Sequence, residues 1–272
     1  MAQPTIGFIG LGEMGEPMAR HLLQHGFPVV SCANRRRKAI EALAKEGLVE
    51  AENPAGVGAK ADIFMTIVVD QAQTEQVLRG PTGALSTLRP GSVIIIMSTI
   101  DPDYCKSLAQ ELAPRDIEVI DCPVSGGPHG AVAATLALMT GGAADVIERC
   151  RAPLEAMGTI FPCGEVGMGM VAKLANNGLL VGTIALVMEV RAMASAHGMD
   201  TAHLMEIIKN STGNSNVVQK WDFIQANFHH LLSLSAKDAG LFLEAARNKG
   251  TPSELLTAWQ NYDWSSIKAE DV

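Results

Sequence analysis

The sequence predicts an α/β fold in which an N-terminal doubly wound parallel sheet is followed by an all-α C-terminal domain. Short apolar runs alternate with helical patterns through the first half of the chain, as is typical of such a sheet. From about Phe161 onward, strand patterns cease and helical periodicity takes over. A chain of 272 residues is also long enough for two domains. We therefore predict domains at 1–163 and 164–272.

The first motif reads as strand, glycine turn and helix. The apolar run 5–9 leads into Gly10-Leu11-Gly12-Glu13-Met14-Gly15, and apolar residues then recur at helical spacing until Gly26. Here the glycines allow a tight turn, close approach of backbone to a pyrophosphate, and close packing of helix on strand. The motif predicts a Rossmann dinucleotide site, and a tight turn without ligand is the alternative. The predicted site residues are Gly10, Leu11, Gly12, Met14 and Gly15.

The second strand ends at Asn34-Arg35-Arg36-Arg37. In NAD-selective sequences an acid near this point accepts from the ribose hydroxyls, whereas this chain has three arginines. A guanidinium pairs well with a phosphate dianion and gains nothing from a hydroxyl pair. We therefore expect NADP as the preferred cofactor, with Asn34 and Arg35 at its phosphate and NAD as a possible substitute. The run Arg36-Arg37-Lys38 is interpreted as the solvated start of the next helix.

Further strands are predicted at 63–69, 92–97, 118–121 and 136–139, with helices at about 73–79 and 103–111. Ligands in this architecture bind beyond the carboxyl ends of the strands, where Val69, Asp70 and Ser98-Thr99 fall. Helix capping is an equally good interpretation of Asp70 and the Ser-Thr pair, so both readings stay open.

A glycine-dense loop, Asp121-Cys122-Pro123-Val124-Ser125-Gly126-Gly127, follows the strand 118–121. Its bare N–H groups can converge on a carboxylate. The nearby His129 is interpreted as a surface residue rather than a proton-transfer group.

A long apolar run, 169–196, places Lys173 and Asn177 on one helix face, about one turn apart. It is apolar on nearly every side, the pattern of a helix in a core or at a domain boundary. Since burying a cation is costly, we expect that the lysine either reaches a cleft or has a lowered pKa. The alternative is that its ammonium group extends along the helix surface to reach solvent. Later, Ser235-x-x-Asp238 matches a capping pattern that would make Lys237 and Asp238 first-turn residues.

Charge and cysteine usage exclude several classes of protein. The net charge of −8 argues against a sequence-independent nucleic-acid surface. Five scattered cysteines without a Cys-x-x-Cys pair indicate reduced thiols in a cytoplasmic protein and no zinc framework. The N-terminus has no signal-peptide pattern, and the most apolar window, 178–188, is shorter than a membrane span of about 20 residues. We expect no metal, nucleic-acid or membrane partner.

Four of these segments, in the same order, resemble signatures of the β-hydroxyacid dehydrogenase family. This family includes 3-hydroxyisobutyrate dehydrogenase, tartronate semialdehyde reductase, glyoxylate reductase and succinic semialdehyde reductase. The four segments are the glycine turn, the loop 121–127, Lys173-Leu174-Ala175-Asn176-Asn177 and Lys237-Asp238. The resemblance implies an NAD(P)-dependent oxidoreductase that transfers hydride between a nicotinamide, preferably of NADP, and a small 3-hydroxy acid, semialdehyde or 2-oxo acid. Family habit also implies a homo-oligomer.

The same resemblance implies roles for single residues. Lys173 would be the general acid and base, and Asn177 would orient the substrate hydroxyl and the lysine. Ser125, Gly126 and Gly127 would hold the substrate carboxylate, while Thr99 and Lys237 would lie by the nicotinamide. Two other functions stay open: an imine reductase on the same scaffold, against which Lys173 argues, and a non-catalytic dinucleotide-binding module, which would not need the substrate residues.

Two departures from the family pattern are visible. Ile96 stands where members usually have an aspartate before the Ser-Thr pair, so we expect different support for that turn. A segment between Ala258 and Asn261 is shortened where members continue a helix before a Gly-rich, Asp-Ser ending. Closure of the cleft or subunit contact is expected to differ accordingly.

Overall fold

The computed structural model describes residues 3–34 and 37–264, without the side chains of His230 and Leu234. It divides into two compact units, Met1–Lys173 and Leu174–Val272. The division falls inside a helix, and the boundary expected between 163 and 164 stays a prediction.

The first unit is built on a nine-stranded sheet with helices between the strands. The strands are β1 (Ile6–Ile9), β2 (Val29–Cys32), β3 (Val49–Ala51), β4 (Ile63–Thr66), β5 (Val93–Ile96), β6 (Glu118–Asp121), β7 (Val124–Ser125), β8 (Leu136–Gly141) and β9 (Gly158–Gly164). The helices are α1 (Gly15–Gln24), α2 (Lys38–Ala44), α3 (Pro54–Gly58), α4 (Gln71–Arg79), α5 (Pro102–Leu112), α6 (Gly127–Val132), α7 (Ala144–Arg149) and α8 (Arg151–Glu155). Two short 3₁₀ turns lie at Ala84–Ser86 and Ala113–Arg115.

The sheet order is β3-β2-β1-β4-β5-β6-β8-β7, with β9 paired to β8. Six strands, β1 to β6, pair in parallel, which confirms the doubly wound sheet predicted from the sequence. The central strands are buried along their whole length, and successive residues pack into two different cores, as with Ile95 in one and Ile94 and Ile96 in the other. Helices therefore cover both faces, as is usual for parallel strands.

The sheet also contains features that the sequence patterns did not predict. Strand β8 runs antiparallel to β6 and β7, so the sheet is mixed rather than wholly parallel. Strands β3 and β7 have only three and two residues, too few to show a period. Strand β9 continues past Phe161, and it escaped prediction because it is mostly exposed and contains Pro162, as edge strands can.

The second unit is helical. Its helices are α9 (Met168–Ala196), which begins in the first unit, and α10 (Thr201–Lys209), α11 (Asn216–Gln219), α12 (Trp221–Ala226), α13 (Phe228–Asn248) and α14 (Glu254–Asn261). Two cores form around Trp221 and Trp259. One face of α9 packs into them through Val181, Ile184 and Val187, whereas Leu179 and Leu186 on another face are exposed. The expected burial of α9 on nearly every side is therefore wrong for this chain on its own.

Helix α9 spans 29 residues, close to the apolar run 169–196 and much longer than its most apolar window, 178–188. Among the described residues it is the one helix long and apolar enough to cross a membrane, by length and composition alone. Core helices of soluble proteins pass the same test, so this observation is weak evidence for a membrane span.

Candidate active site

The three glycines of the turn from β1 into α1 have different roles. Gly10 has φ +107°, and a Cβ there would overlap the carbonyl oxygen of Ile67. A Cβ on Gly15 would overlap the carbonyl oxygen of Gly10. Backbone packing therefore requires glycine at both positions. Gly12, in contrast, is exposed, and a Cβ there would meet nothing within 4 Å. The bare backbone at Gly12 fits the close approach of a dinucleotide pyrophosphate.

The neighbouring Leu11 and Met14 are half-buried and pack against the core of the first unit. Their side chains therefore contribute to the turn's shape.

At the end of β2 the structure describes only part of the predicted phosphate site. Asn34 is exposed, while Arg35 and Arg36 lie outside the described residues. Arg37 forms ion pairs with Glu50 at 3.0 Å and with Glu41 at 3.2 Å, and α2 begins at the next residue. This agrees with the interpretation of Arg37 as part of a solvated helix start.

Two loops meet at the carboxyl ends of β4 and β5. The backbone N–H of Val68 donates to Ser98 Oγ at 2.7 Å, which ties the two loops together. Asp70 accepts from the N–H of Gln73 at 2.8 Å and so caps α4. Val69 is exposed and Thr99 is half-buried at this edge.

Capping was the open alternative for these positions, and it holds for Asp70. It does not hold for the Ser-Thr pair, because Asp101 caps α5 by accepting from the N–H of Asp103 at 2.9 Å. Ile96 is fully buried in an apolar core, and the Ser98 bond supports the turn without an acid there.

The predicted carboxylate loop, 121–127, contains the short strand β7 and leads into α6. Ser125 is half-buried, and Gly126 and Gly127 are exposed with φ of +135° and +63°. These conformations favour glycine, and a Cβ on Gly127 would meet nothing within 4 Å. His129 is exposed in α6, as predicted for a surface residue. The loop thus offers accessible backbone next to a hydroxyl.

Lys173 and Asn177 lie one turn apart on α9, as the spacing predicts. Lys173 is half-buried, and Asn177 is 8% exposed. The Asn177 Nδ2 donates a short hydrogen bond to Asp238 Oδ2, and Asn177 Oδ1 accepts from Asn176 Nδ2 at 3.0 Å. The amide orientation of Asn177 is therefore fixed, which leaves one N–H and one lone pair for another partner.

Asp238 also pairs with Lys237, whose Nζ lies 3.2 Å from Asp238 Oδ1. Both residues stand well inside α13, which begins at Phe228, so the prediction that Ser235-x-x-Asp238 starts a helix is wrong. The sequence 228–234 contains no helix breaker, and the Asp238 carboxylate binds a distant amide instead of a first-turn N–H.

Asp121 is a functional candidate that the sequence patterns place at the end of a strand and the start of the glycine-dense loop, without predicting a role for it. It is fully buried, Oδ1 accepts from the N–H of Gly167 at 2.6 Å, and Oδ2 accepts from the N–H of Met170 at 2.7 Å. Burial raises the pKa of Asp121 to about 6, against the lowering effect of these N–H donors. The available signal was an acid closing a buried strand directly before a glycine-rich loop.

The five cysteines are free thiols. Burial raises the pKa of Cys32 to about 11 and that of Cys150 to about 12, and it also raises those of Cys105, Cys122 and Cys163. Their thiolate forms, and hence nucleophilic reactivity, are disfavoured. Within the described part of the chain, no three His, Cys, Asp or Glu side chains are grouped so as to hold a metal ion.

The parallel strands β1 to β6 and the open glycine turn have the features of a dinucleotide-binding domain, and Lys173 and Asn177 add a polar face on α9. Residues 5–166 match the family model for the NAD binding domain of 6-phosphogluconate dehydrogenase. Residues 167–270 match the family model for the NAD-binding domain of NADP-dependent 3-hydroxyisobutyrate dehydrogenase. The chain belongs to the β-hydroxyacid dehydrogenase family and is an NAD(P)-dependent hydroxyacid dehydrogenase.

Similar proteins act on different small hydroxy acids. L-threonate dehydrogenase of Cupriavidus necator is 34% identical, over 93% of this chain and 87% of its own length. The NAD-dependent L-serine dehydrogenase of Pseudomonas aeruginosa is 33% identical, over 92% of this chain and 88% of its own length. The structure of 3-hydroxyisobutyrate dehydrogenase with L-serine from Mycobacterium tuberculosis has a TM-score of 0.82 at 28% identity, covering 96% of this chain and 92% of that one.

An imine reductase from Myxococcus stipitatus has a TM-score of 0.70 at 21% identity, covering 95% of this chain and 99% of its own. At that identity the likeness shows a shared fold.

Proposed function

We propose that this dehydrogenase interconverts a small carboxylate-bearing aldehyde or 2-oxo acid and its hydroxy acid, with NADP preferred and Lys173 as the general acid and base. The observation that carries the proposal is the polar face of α9, where Lys173 stands one turn from an asparagine whose amide is fixed by Asp238. When bound, the nicotinamide accepts or supplies the hydride. Hydride addition to a carbonyl leaves an alkoxide, which needs a proton. The Lys173 ammonium gives that proton, and the amine takes it back in the oxidation direction.

Asn177 acts beside Lys173 by presenting its remaining N–H to the substrate oxygen. Ser125, Gly126 and Gly127 bind the substrate carboxylate through the serine hydroxyl and exposed backbone N–H groups. This assignment explains how one scaffold accepts acids as different as threonate and serine in its relatives, because the carboxylate is the group that those acids share.

The test of the lysine is Lys173→Ala. Loss of the proton-transfer group should lower turnover by roughly two to four decades, with dinucleotide binding nearly intact. The matched control is Lys60→Ala, which removes an exposed lysine of the first unit and should change neither property. Unchanged turnover in Lys173→Ala would remove the lysine from the mechanism.

The substrate class is tested by NADPH oxidation with glyoxylate, succinic semialdehyde, methylmalonate semialdehyde, tartronate semialdehyde and a cyclic imine. We expect turnover on the carboxylate-bearing carbonyls. Reduction of the imine alone would instead establish the imine reductase alternative, which Lys173 argues against. Tight dinucleotide binding without turnover on any compound would favour a non-catalytic binding module.

We propose that NADP preference comes from Asn34 and Arg35. Arg37 is already paired with Glu41 and Glu50, which supports Arg35 as the phosphate ligand. Arg35→Ala should reduce the NADPH-to-NADH ratio of kcat/KM by about 10- to 100-fold, the effect of losing a charge-assisted hydrogen bond. Arg37→Ala is the matched control and should leave the ratio within about twofold. An unchanged ratio in Arg35→Ala would contradict the assignment.

The remaining cofactor residues, Val69, Asp70, Thr99 and Lys237, are proposed to line the dinucleotide. Val69 and Thr99 stand at the carboxyl edge of the sheet, where ligands of such sheets bind. Asp70 already caps α4, so its contribution would be to fix that edge.

We further propose that the protein is a homo-oligomer. Leu179, Leu186 and Met193 recur at seven-residue spacing on α9 and are 74%, 62% and 57% exposed. Such a stripe is the pattern by which one helix packs on another, and the second copy of this chain supplies the partner. Light scattering should give a multiple of 28.8 kDa for the native chain and a smaller mass for Leu186→Glu. A monomeric native chain would contradict it.

A cytoplasmic location is proposed on the five free thiols, which suit a reducing compartment. Cell fractionation tests it, and recovery from an oxidising compartment would refute it.

A further inference from the structure

The first turn of α9 is held by a carboxylate from the sheet. Asp121 ends β6, and its two oxygens accept from the N–H groups of Gly167 and Met170, 46 and 49 residues further along the chain. The first N–H groups of a helix have no partner within it, and a negative charge there is favourable. Asp121 therefore satisfies two donors that α9 itself leaves unpaired.

The surroundings are shaped for this contact. A Cβ on Gly141 would overlap Asp121 Oδ1, and one on Gly169 would lie 2.8 Å from Asp121 Oδ2. A Cβ on Gly169 would also overlap the carbonyl oxygen of Met139 in β8. The lack of side chains at both glycines lets α9 approach the sheet closely enough for the carboxylate to reach its N–H groups.

This contact lies between two parts of the proposed site within the first unit. Met170 is three residues before Lys173, so the lysine lies on the next turn of α9, on the same side of the helix as the bonded residue. On the other side, the chain runs from Asp121 through Cys122 and Pro123 into β7, which contains Ser125. A shift of the first turn of α9 would move the lysine relative to the substrate loop.

We propose that Asp121 is a positioning residue for Lys173, holding the first turn of α9 at a fixed distance from the strand that leads to Ser125. The inference rests on the proposed role of Lys173. A buried carboxylate is costly unless its hydrogen bonds are made, so the contact favours one placement of the helix over neighbouring ones. A displacement of about 1 Å at a reacting group is enough to reduce turnover by about 100-fold.

The test is Asp121→Asn, which keeps the shape but replaces one acceptor oxygen with a donor. We expect kcat to fall by about 10- to 100-fold with the Kd for NADPH unchanged. Amide exchange at Met170 should accelerate in the same variant. Asp200→Asn is the matched control, because Asp200 caps α10 by accepting from Ala202 N–H at 2.8 Å, and kcat should be unchanged there.

A double-mutant cycle separates positioning from a general effect on the fold. If Asp121 acts through Lys173, Asp121→Asn should lower the residual activity of Lys173→Ala by less than about twofold. Full additivity of the two losses would overturn the proposal, as would a normal kcat in Asp121→Asn despite faster exchange at Met170. An unchanged kcat in Lys173→Ala would instead refute the proposed function itself, and the exchange result would still report on the contact.

If Asp121→Asn does not fold, Gly141→Ala replaces it, because it leaves Asp121 and Lys173 unmutated. Its Cβ would overlap Asp121 Oδ1 and lie 2.8 Å from the Glu165 carbonyl oxygen and the Gly169 nitrogen, so it disturbs the contact between the carboxylate and the start of α9. The same loss of kcat, again absent in the Lys173→Ala background, is expected. A normal kcat in Gly141→Ala together with faster exchange at Met170 would overturn the proposal.

Discussion

The buried carboxylate of Asp121 should leave a measurable mark on stability. Its pKa is about 6 in the folded chain, whereas the ordinary value is 3.8. This difference corresponds to about 3 kcal/mol in the free energy of unfolding between the protonated and ionised forms. Between these pH values the folded state binds the proton more tightly than the unfolded state does. The free energy of unfolding therefore falls as pH rises through this window, and the loss is complete above about pH 6.

The assay is urea unfolding of the wild type and of Asp121→Asn, followed by circular dichroism from pH 4 to pH 7. The wild type and the variant share all other titrating groups, so the difference between their free energies of unfolding reports on Asp121. The neighbouring thiols of Cys105, Cys122 and Cys163 have raised pKa values and stay neutral throughout. The wild type should lose about 3 kcal/mol relative to the variant as pH rises. A difference that is constant with pH, or that grows in favour of the wild type, would refute the reasoning.

Two further predictions concern the backbone. Gly12→Ala should keep the melting temperature but weaken NADPH binding by at least about tenfold, whereas Gly15→Ala should destabilise the fold by more than about 2 kcal/mol because its Cβ overlaps a carbonyl oxygen. Calorimetry measures the stability of both variants, and fluorescence titration measures their NADPH binding. Equal losses of stability in the two variants would contradict these predictions. Ala134→Gly should stabilise by about 0.5 kcal/mol, since Ala134 has φ +53°, and the control Ala133→Gly, at φ −84°, should destabilise by a similar amount. Urea midpoints that move in the same direction would contradict this pair.

Sequence patterns predicted those parts of the fold whose signal is local and long. Strand β6 was predicted with its observed bounds, and α9 to within a residue at its start. The glycine turn and the Lys173–Asn177 face were found for the same reason, because their spacing is set by one turn or one helix. Strands β3, β7 and β9 were missed because two are very short and one is an exposed edge.

The contacts that organise the candidate site were beyond such patterns. Asp121 meets Met170 across 49 residues, and Asn177 meets Asp238 across 61. Nothing in a single sequence indicates which acid will pair with which distant N–H group, since each looks locally like a strand end or a helix cap. The capping interpretation of Ser235-x-x-Asp238 was wrong for this reason.

The isoleucine at position 96 has a consequence for how this site takes up protons. In the parallel pairing of β5 and β6, Ile96 is the direct partner of Asp121, and adjacent strands lie about 4.8 Å apart. An aspartate at position 96, as the family pattern has it, would set two acids side by side in a buried layer, where they would share one proton and titrate as a coupled pair. With Ile96 as its neighbour, Asp121 should titrate in one simple step.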